Sequence, residues 1–167
     1  NSNLPGVKNG FVKWFDLDND GSLELLISGK KNDSTPLTKI FTKFGSGQAV
    51  ELNSKLVELK NSAGSFGDYN KDGYPDLLIS GYDGAIRKTI IYKNDFGNLI
   101  ETPIEINGIE NGSVDWGDYD NDGALDFAIT GAQDSISIEY LDGGRSVRVS
   151  TSIAVFTGIY RQETKDS

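Results

Sequence analysis

The chain has 167 residues, with 25 acidic against 16 basic side chains and a net charge of −9, enough length for one domain with a proper core. It contains no Cys and no His, which excludes disulfides, thiol chemistry and the usual zinc ligands, and the acidity argues against nucleic-acid binding, which needs a basic face. No apolar run approaches the roughly 18 residues of a membrane span, no signal peptide is present, and the absence of Met leads us to expect a processed product or a piece of something longer.

Asn1 to Gly10 show no clear periodicity, yet Gly6-Val7-Lys8-Asn9-Gly10 matches Gly108-Ile109-Glu110-Asn111-Gly112 at an offset of 102. A short strand then ends in Trp14, two residues ahead of Asp16-Leu17-Asp18-Asn19-Asp20-Gly21-Ser22-Leu23-Glu24. An apolar strand over Leu23 to Ser28 is closed by Gly29, and further strands are expected over Lys39 to Phe44 and Ala49 to Leu52.

The same order returns twice. Phe66 precedes Asp68-Tyr69-Asn70-Lys71-Asp72-Gly73-Tyr74-Pro75-Asp76, followed by strands over Leu77 to Ser80, Lys88 to Lys93 and Leu99 to Ile106, with Gly81 ending the first of these. Trp116 precedes Asp118-Tyr119-Asp120-Asn121-Asp122-Gly123-Ala124-Leu125-Asp126, followed by strands over Leu125 to Thr130, ended by Gly131, and Ile153 to Arg161. The first Asp advances by 52 and then 50 residues, the mark of a repeat architecture with units at about 6–57, 58–107 and 108–167. Four short strands per unit, with turn residues between them, predict an all-β fold of four-stranded antiparallel β-propeller blades, about three of them. The apolar runs after the loops are continuous, which suits strands covered on both faces.

The third unit is longer. Ile136, Ile138 and Tyr140 alternate on one side of Asp142-Gly143-Gly144, and Val147 and Val149 on the other, predicting a projecting hairpin at about 135–152. It is either decoration or an oligomer contact, or a recognition arm with Tyr140, Arg145 and Arg148 as contacts. The aromatics Trp14, Phe66 and Trp116 invite two readings as well, a stacking platform for sugars or packing between neighbouring sheets; their identical spacing favours packing.

The common loop pattern is D-x-[DN]-x-D-G-x-x-[DE], with side-chain oxygens at positions 1, 3, 5 and 9: Asp16, Asp18, Asp20 and Glu24; Asp68, Asn70, Asp72 and Asp76; Asp118, Asp120, Asp122 and Asp126. Calcium takes six to eight oxygen ligands, and alternate residues of a tight loop point inward together. Position 6 is Gly in every copy, suited to a left-handed turn, and the varied position 7 (Ser22, Tyr74, Ala124) suits a main-chain carbonyl ligand. An EF-hand needs Glu at position 12, where this chain has Ile27, Ile79 and Ile129. A bare Asp-Gly hairpin turn is the alternative, but it leaves the acids at positions 1 and 9 unexplained. Magnesium prefers to keep several waters in a strict octahedron. We therefore expect three Ca2+ sites; three such ions would bring the charge near −3.

On these residues the chain resembles the FG-GAP/VCBS repeat family, the β-propeller repeats of integrin α-subunits and many secreted bacterial proteins. The Gly-Ala-Pro element is reduced to Gly29-Lys30, Gly81-Tyr82 and Gly131-Ala132, closer to the bacterial subtype, and Glu24 stands where Asp is usual, which implies a looser first site. The resemblance implies one calcium ion per loop, held by the side chains named above and by the carbonyls of Ser22, Tyr74 and Ala124. Because three blades do not close a ring, it also implies either a fragment of a larger propeller or copies that assemble. The function it implies is a non-catalytic scaffold, extracellular or at the cell surface, for adhesion or for a protein or glycan ligand. Millimolar external calcium suits loops of low affinity. A portion of a secreted polysaccharide-active enzyme is the alternative, although nearly all paired carboxylates are explained by the loops, and remaining acids such as Glu101 and Glu105 lie in an expected strand without a recognisable partner.

Overall fold

The computed structural model describes residues 3–43, 48–133 and 154–160, the last as backbone only. These form three antiparallel sheets and, among the described residues, no helix. The first sheet contains β1 (Lys8–Phe15), β2 (Glu24–Lys30), β3 (Pro36–Thr42) and β4 (Val50–Leu52) in sequence order. The second contains β5 (Lys60–Gly67), β6 (Asp76–Tyr82), β7 (Arg87–Asp95) and β8 (Asn98–Glu101). The third contains β9 (Glu110–Gly117), β10 (Asp126–Gln133) and β11 (Ala154–Tyr160). The expected hairpin at 135–152, with Tyr140, Arg145 and Arg148, lies outside the described residues.

Each acidic loop joins the first and second strands of its sheet. The second strands are the best buried: every residue of β2 and β6 except the last is inside, as their continuous apolar runs require.

Several strand boundaries differ from the sequence reading. Gly29, Gly81 and Gly131 do not end the second strands but lie within them. Each faces an irregularity in the first strand, where the register slips between Lys8 and Phe11, between Lys60 and Ala63, and opposite Thr130 to Ala132. There a Cβ on Gly81 or Gly131 would come within 2.9 Å of the carbonyl oxygen of Lys60 or Glu110. The glycine admits the bulged neighbour, whose extra residue (Asn9, Asn61, Asn111) takes a left-handed φ of 52–53°. β8 stops at Glu101 rather than running to Ile106: Thr102 N–H still reaches the Ile91 carbonyl at 2.9 Å, but Pro103 has no N–H to continue the ladder, and Glu105 is not in a strand. β3 begins at Pro36 and ends at Thr42, three residues earlier than expected at its start.

The sheets pack through their first strands. Between the first and second lies a core of Phe15, Leu17, Leu26, Ile40, Leu59, Leu77 and Ile79 with their neighbours, and between the second and third one of Leu78, Ile91, Ile109, Val114, Phe127 and Ile129. Phe66 stacks on Phe15 with ring centroids 4.0 Å apart, and Trp116 stacks on Tyr69 at 5.7 Å. These two aromatics are packing residues between sheets. A third cluster, Leu25, Ile27, Leu37, Phe41 and Ala49, lies on the far side of the first sheet under Leu4 and Val7.

Candidate metal centre

The three loops are built on one hydrogen-bond frame. The position-1 carboxylate receives two backbone N–H groups from across the turn: Asp16 those of Asp20 (3.1 Å) and Gly21 (3.0 Å), Asp68 those of Asp72 (3.0 Å) and Gly73 (2.8 Å), and Asp118 those of Asp122 (3.1 Å) and Gly123 (3.0 Å). The position-5 carboxylate receives the position-7 N–H: Asp20 from Ser22 (2.7 Å), Asp72 from Tyr74 (3.0 Å), Asp122 from Ala124 (2.7 Å). Reaching those groups requires two left-handed residues in succession of alternate positions. Gly21, Gly73 and Gly123 have φ of 84°, 88° and 81°, and Asn19, Lys71 and Asn121 at position 4 have φ of 58°, 60° and 60°. The position-4 requirement was not read from the sequence; two of the three residues there are Asn, which tolerates that region better than most.

The closing acid does two jobs. Glu24, Asp76 and Asp126 are buried, and one oxygen of each accepts the position-2 N–H, from Leu17 (2.9 Å), Tyr69 (3.0 Å) and Tyr119 (2.9 Å). Glu24 reaches the same N–H as the shorter aspartates despite its extra methylene. Its other oxygen takes the Thr42 hydroxyl (2.9 Å), whereas that of Asp76 takes the backbone N–H of Asn94 (2.7 Å).

In the first loop Asp16, Asp18 and Glu24, and in the third Asp118, Asp120 and Asp126, each offer a carboxylate oxygen within 4.8 Å of the others. Positions 1, 3 and 9 therefore converge, while Asp20 and Asp122 are outside those groups and cap the turn. In the second loop Asn70 replaces the position-3 acid, its Nδ2 donates to Asp72 Oδ2 at 2.9 Å, and the Lys93 ammonium lies 3.7 Å from the same oxygen. The donor set is all hard oxygen. That fits a cation such as calcium, and carboxylate oxygens already holding one N–H keep a lone pair for it.

Charge and burial act together at Asp76. Burial pushes its carboxyl up to about 6 against the N–H groups of Asn94 and Tyr69, and the neighbouring Asp72 and Asp68 raise it further. Asp72 goes the other way, held below the usual carboxylate range chiefly by the Tyr74 N–H, with Asn70 and Lys93 contributing.

Asn94, absent from the sequence reading, ties two loops together. It is fully buried; its side chain donates to the Leu17 carbonyl of the first loop (2.8 Å) and to the Pro75 carbonyl of the second (3.1 Å), and accepts Gly97 N–H (2.8 Å). Asn19 adds a bond to the Gly73 carbonyl at 2.7 Å.

Fold and loops together define an all-β repeat protein whose units each carry one acidic turn. Residues 68–129, from the second loop through the strand after the third, match the family model of the FG-GAP-like repeat. Comparison with curated proteins and with solved structures returned no match.

Proposed function

We propose that the chain is a calcium-stabilised β-propeller scaffold, extracellular or at the cell surface, used in adhesion or in presenting a surface to a protein or glycan ligand. The observation that carries this reading is the convergence of three carboxylates in two separate loops on an identical backbone frame. A turn that served only to reverse the chain would be complete with the N–H bonds of positions 1, 5 and 9. In the first loop it would not need the position-3 carboxylate of Asp18 brought within 4.8 Å of two others, a placement that costs repulsion unless a cation occupies the space.

In this reading Asp16, Asp18 and Glu24 hold one ion and Asp118, Asp120 and Asp126 another. Asp68, Asn70 and Asp76 hold a third and weaker one, because Asn70 brings no charge. The carbonyls of Ser22, Tyr74 and Ala124 complete the shells, and no residue is given a catalytic role. The ions are structural. With site affinities of roughly 10–100 μM against about 1 mM external calcium, each contributes about 1.4–2.7 kcal/mol. No helix among the described residues is long and apolar enough to cross a membrane. The test is thermal unfolding in excess chelator and in about 2 mM calcium, with magnesium as control. A calcium-selective rise in Tm is expected; equal melting in all three would reduce the loops to hairpin turns.

A further inference from the structure

We propose that the first and second loops load as one unit: an ion in either raises the affinity of the other, and Asn94 carries the coupling. The coupling rests on the calcium reading and adds to it a relation between two sites.

A chain of buried hydrogen bonds runs from the closing acid of one loop to the closing acid of the next. Glu24 Oε2 accepts the Leu17 N–H at 2.9 Å, and the Leu17 carbonyl accepts from Asn94 Nδ2 at 2.8 Å. The Asn94 N–H then donates to Asp76 Oδ1 at 2.7 Å. All four residues are 7% exposed or less, so water does not compete for these bonds and each counts for more than it would on the surface.

Leu17 stands between Asp16 and Asp18, and Glu24 completes their convergent group. An ion gathering those three carboxylates would hold the peptide groups on either side of Leu17 in one orientation. The Leu17 carbonyl orients the Asn94 amide, whose own backbone holds Asp76. The same Nδ2 also donates to the Pro75 carbonyl, in the peptide leading into Asp76, at 3.1 Å.

Two further contacts join the same loops. Asn19 Nδ2 donates to the Gly73 carbonyl at 2.7 Å, and the Gly73 N–H is itself held by Asp68 at 2.8 Å. The turn after β7 lies against both loops. A Cβ on Gly97 would come within 3.2 Å of Asp18 Cβ, while Phe96 meets the Tyr74 ring edge-on at 5.1 Å. Position 3 of the first loop and position 7 of the second therefore touch one turn, and Asn94 Oδ1 accepts its Gly97 N–H at 2.8 Å.

The sign follows from what is shared. The first ion to bind orders backbone that belongs to both loops, so the second has less ordering left to supply. Repulsion between the two cations opposes this, but the loop mouths are exposed and water and salt screen it, whereas the hydrogen-bond chain is buried. By linkage the effect is reciprocal.

The test is a calcium titration of the 167-residue chain followed by two-dimensional NMR, with the Gly21 and Gly73 amides reporting the first and second loops separately. Asp18→Ala, which disables the first loop, should move the Gly73 midpoint to about fivefold higher calcium. In an Asn94→Ala background the same change should leave that midpoint where it is. A purely structural Asn94 would lower stability with or without Asp18 and leave the shift intact. Should Asn94→Ala fail to fold, Asn19→Gly takes its place: glycine suits the φ of 58° there, only the Gly73 bond is lost, and the shift should shrink. A Gly73 midpoint that ignores Asp18→Ala or falls with it, or a shift undiminished in the Asn94 or Asn19 background, overturns the proposal. Loops that fill independently would remove the coupling and leave the calcium-stabilised scaffold standing. No response of either glycine to calcium would remove both.

Discussion

The backbone N–H of Asn94 points at Oδ1 of Asp76 across 2.7 Å, and both residues are fully buried. The asparagine side chain meanwhile satisfies the carbonyl of Leu17, 77 positions earlier in the sequence. One residue thus fixes the closing acid of the second loop and the backbone of the first. Asn94→Ala keeps the N–H to Asp76 but orphans the buried Leu17 carbonyl, the Pro75 carbonyl and the Gly97 N–H. With each buried orphan costing about 1–3 kcal/mol, the loss should be about 3 kcal/mol by urea denaturation. Asn98→Ala, which removes only an exposed bond to Asp95, should change stability by no more than about 0.5 kcal/mol.

The raised Asp76 carboxyl predicts how the calcium-free protein responds to pH. Its folded value of about 6 lies above its ordinary value of 3.8, so at intermediate pH the folded state binds the proton that the unfolded state has lost. The stability it contributes is complete below about 4 and is lost as pH rises through about 6. Asp33, Asp72 and Asp83 are shifted downward; their contribution is present above about 4 and is lost as pH falls below it, outside this window. In chelator, Tm should therefore decline from about pH 4.5 to 6.5, and Asp76→Asn should flatten that decline. A flat profile in the unaltered protein would mean that Asp76 is charged throughout.

Much of this was legible in the sequence because it is local. The left-handed turn at Gly21 could be read from spacing alone, as could the doubly covered strands that follow, whereas Asp20, read as a calcium ligand, accepts the Ser22 N–H and lies outside the convergent group. What was missed needed a neighbour. Gly29, Gly81 and Gly131 looked like strand terminators, but their purpose is the bulge in the strand beside them. The signal for that bulge was present as Asn9, Asn61 and Asn111, repeated at the loop period and set in a left-handed turn. Asn94 had no such signal, since its counterpart in the first unit is Lys43 and its partner is set by how two sheets meet.

Asp18→Ala should separate the proposed metal binding from folding. Asp18 is exposed, and unlike Asp16 and Glu24 it is not part of the backbone frame of its loop, yet its carboxylate belongs to the first convergent group. In chelator the variant should melt within about 0.5 kcal/mol of the parent, or slightly higher through relief of repulsion. In calcium it should forgo one site's share, about 1.4–2.7 kcal/mol. Equal calcium response in parent and variant would show that the first loop holds no ion.

The hydroxyls between sheets give a last contrast. Ser28 Oγ lies 3.0 Å from Thr38 Oγ1 and 2.8 Å from Ser62 Oγ of the next sheet, and Leu59 N–H donates to Thr38 Oγ1 at 3.0 Å, forming a buried, satisfied chain. One repeat later the counterparts of Ser28 and Thr38 are Ser80 and Thr89, but the counterpart of Ser62 is Gly112. Both hydroxyls are buried there without a hydrogen-bond partner. Ser28→Ala should cost about 1–2 kcal/mol by breaking a made network, whereas Ser80→Ala removes a group that had lost its water and gained nothing, and should be neutral or stabilising. The two variants make the same chemical change at equivalent positions, so chemical denaturation of the pair isolates the Ser62-to-Gly112 difference. Equal losses would place a bound water on Ser80, doing for the second junction what Ser62 does for the first.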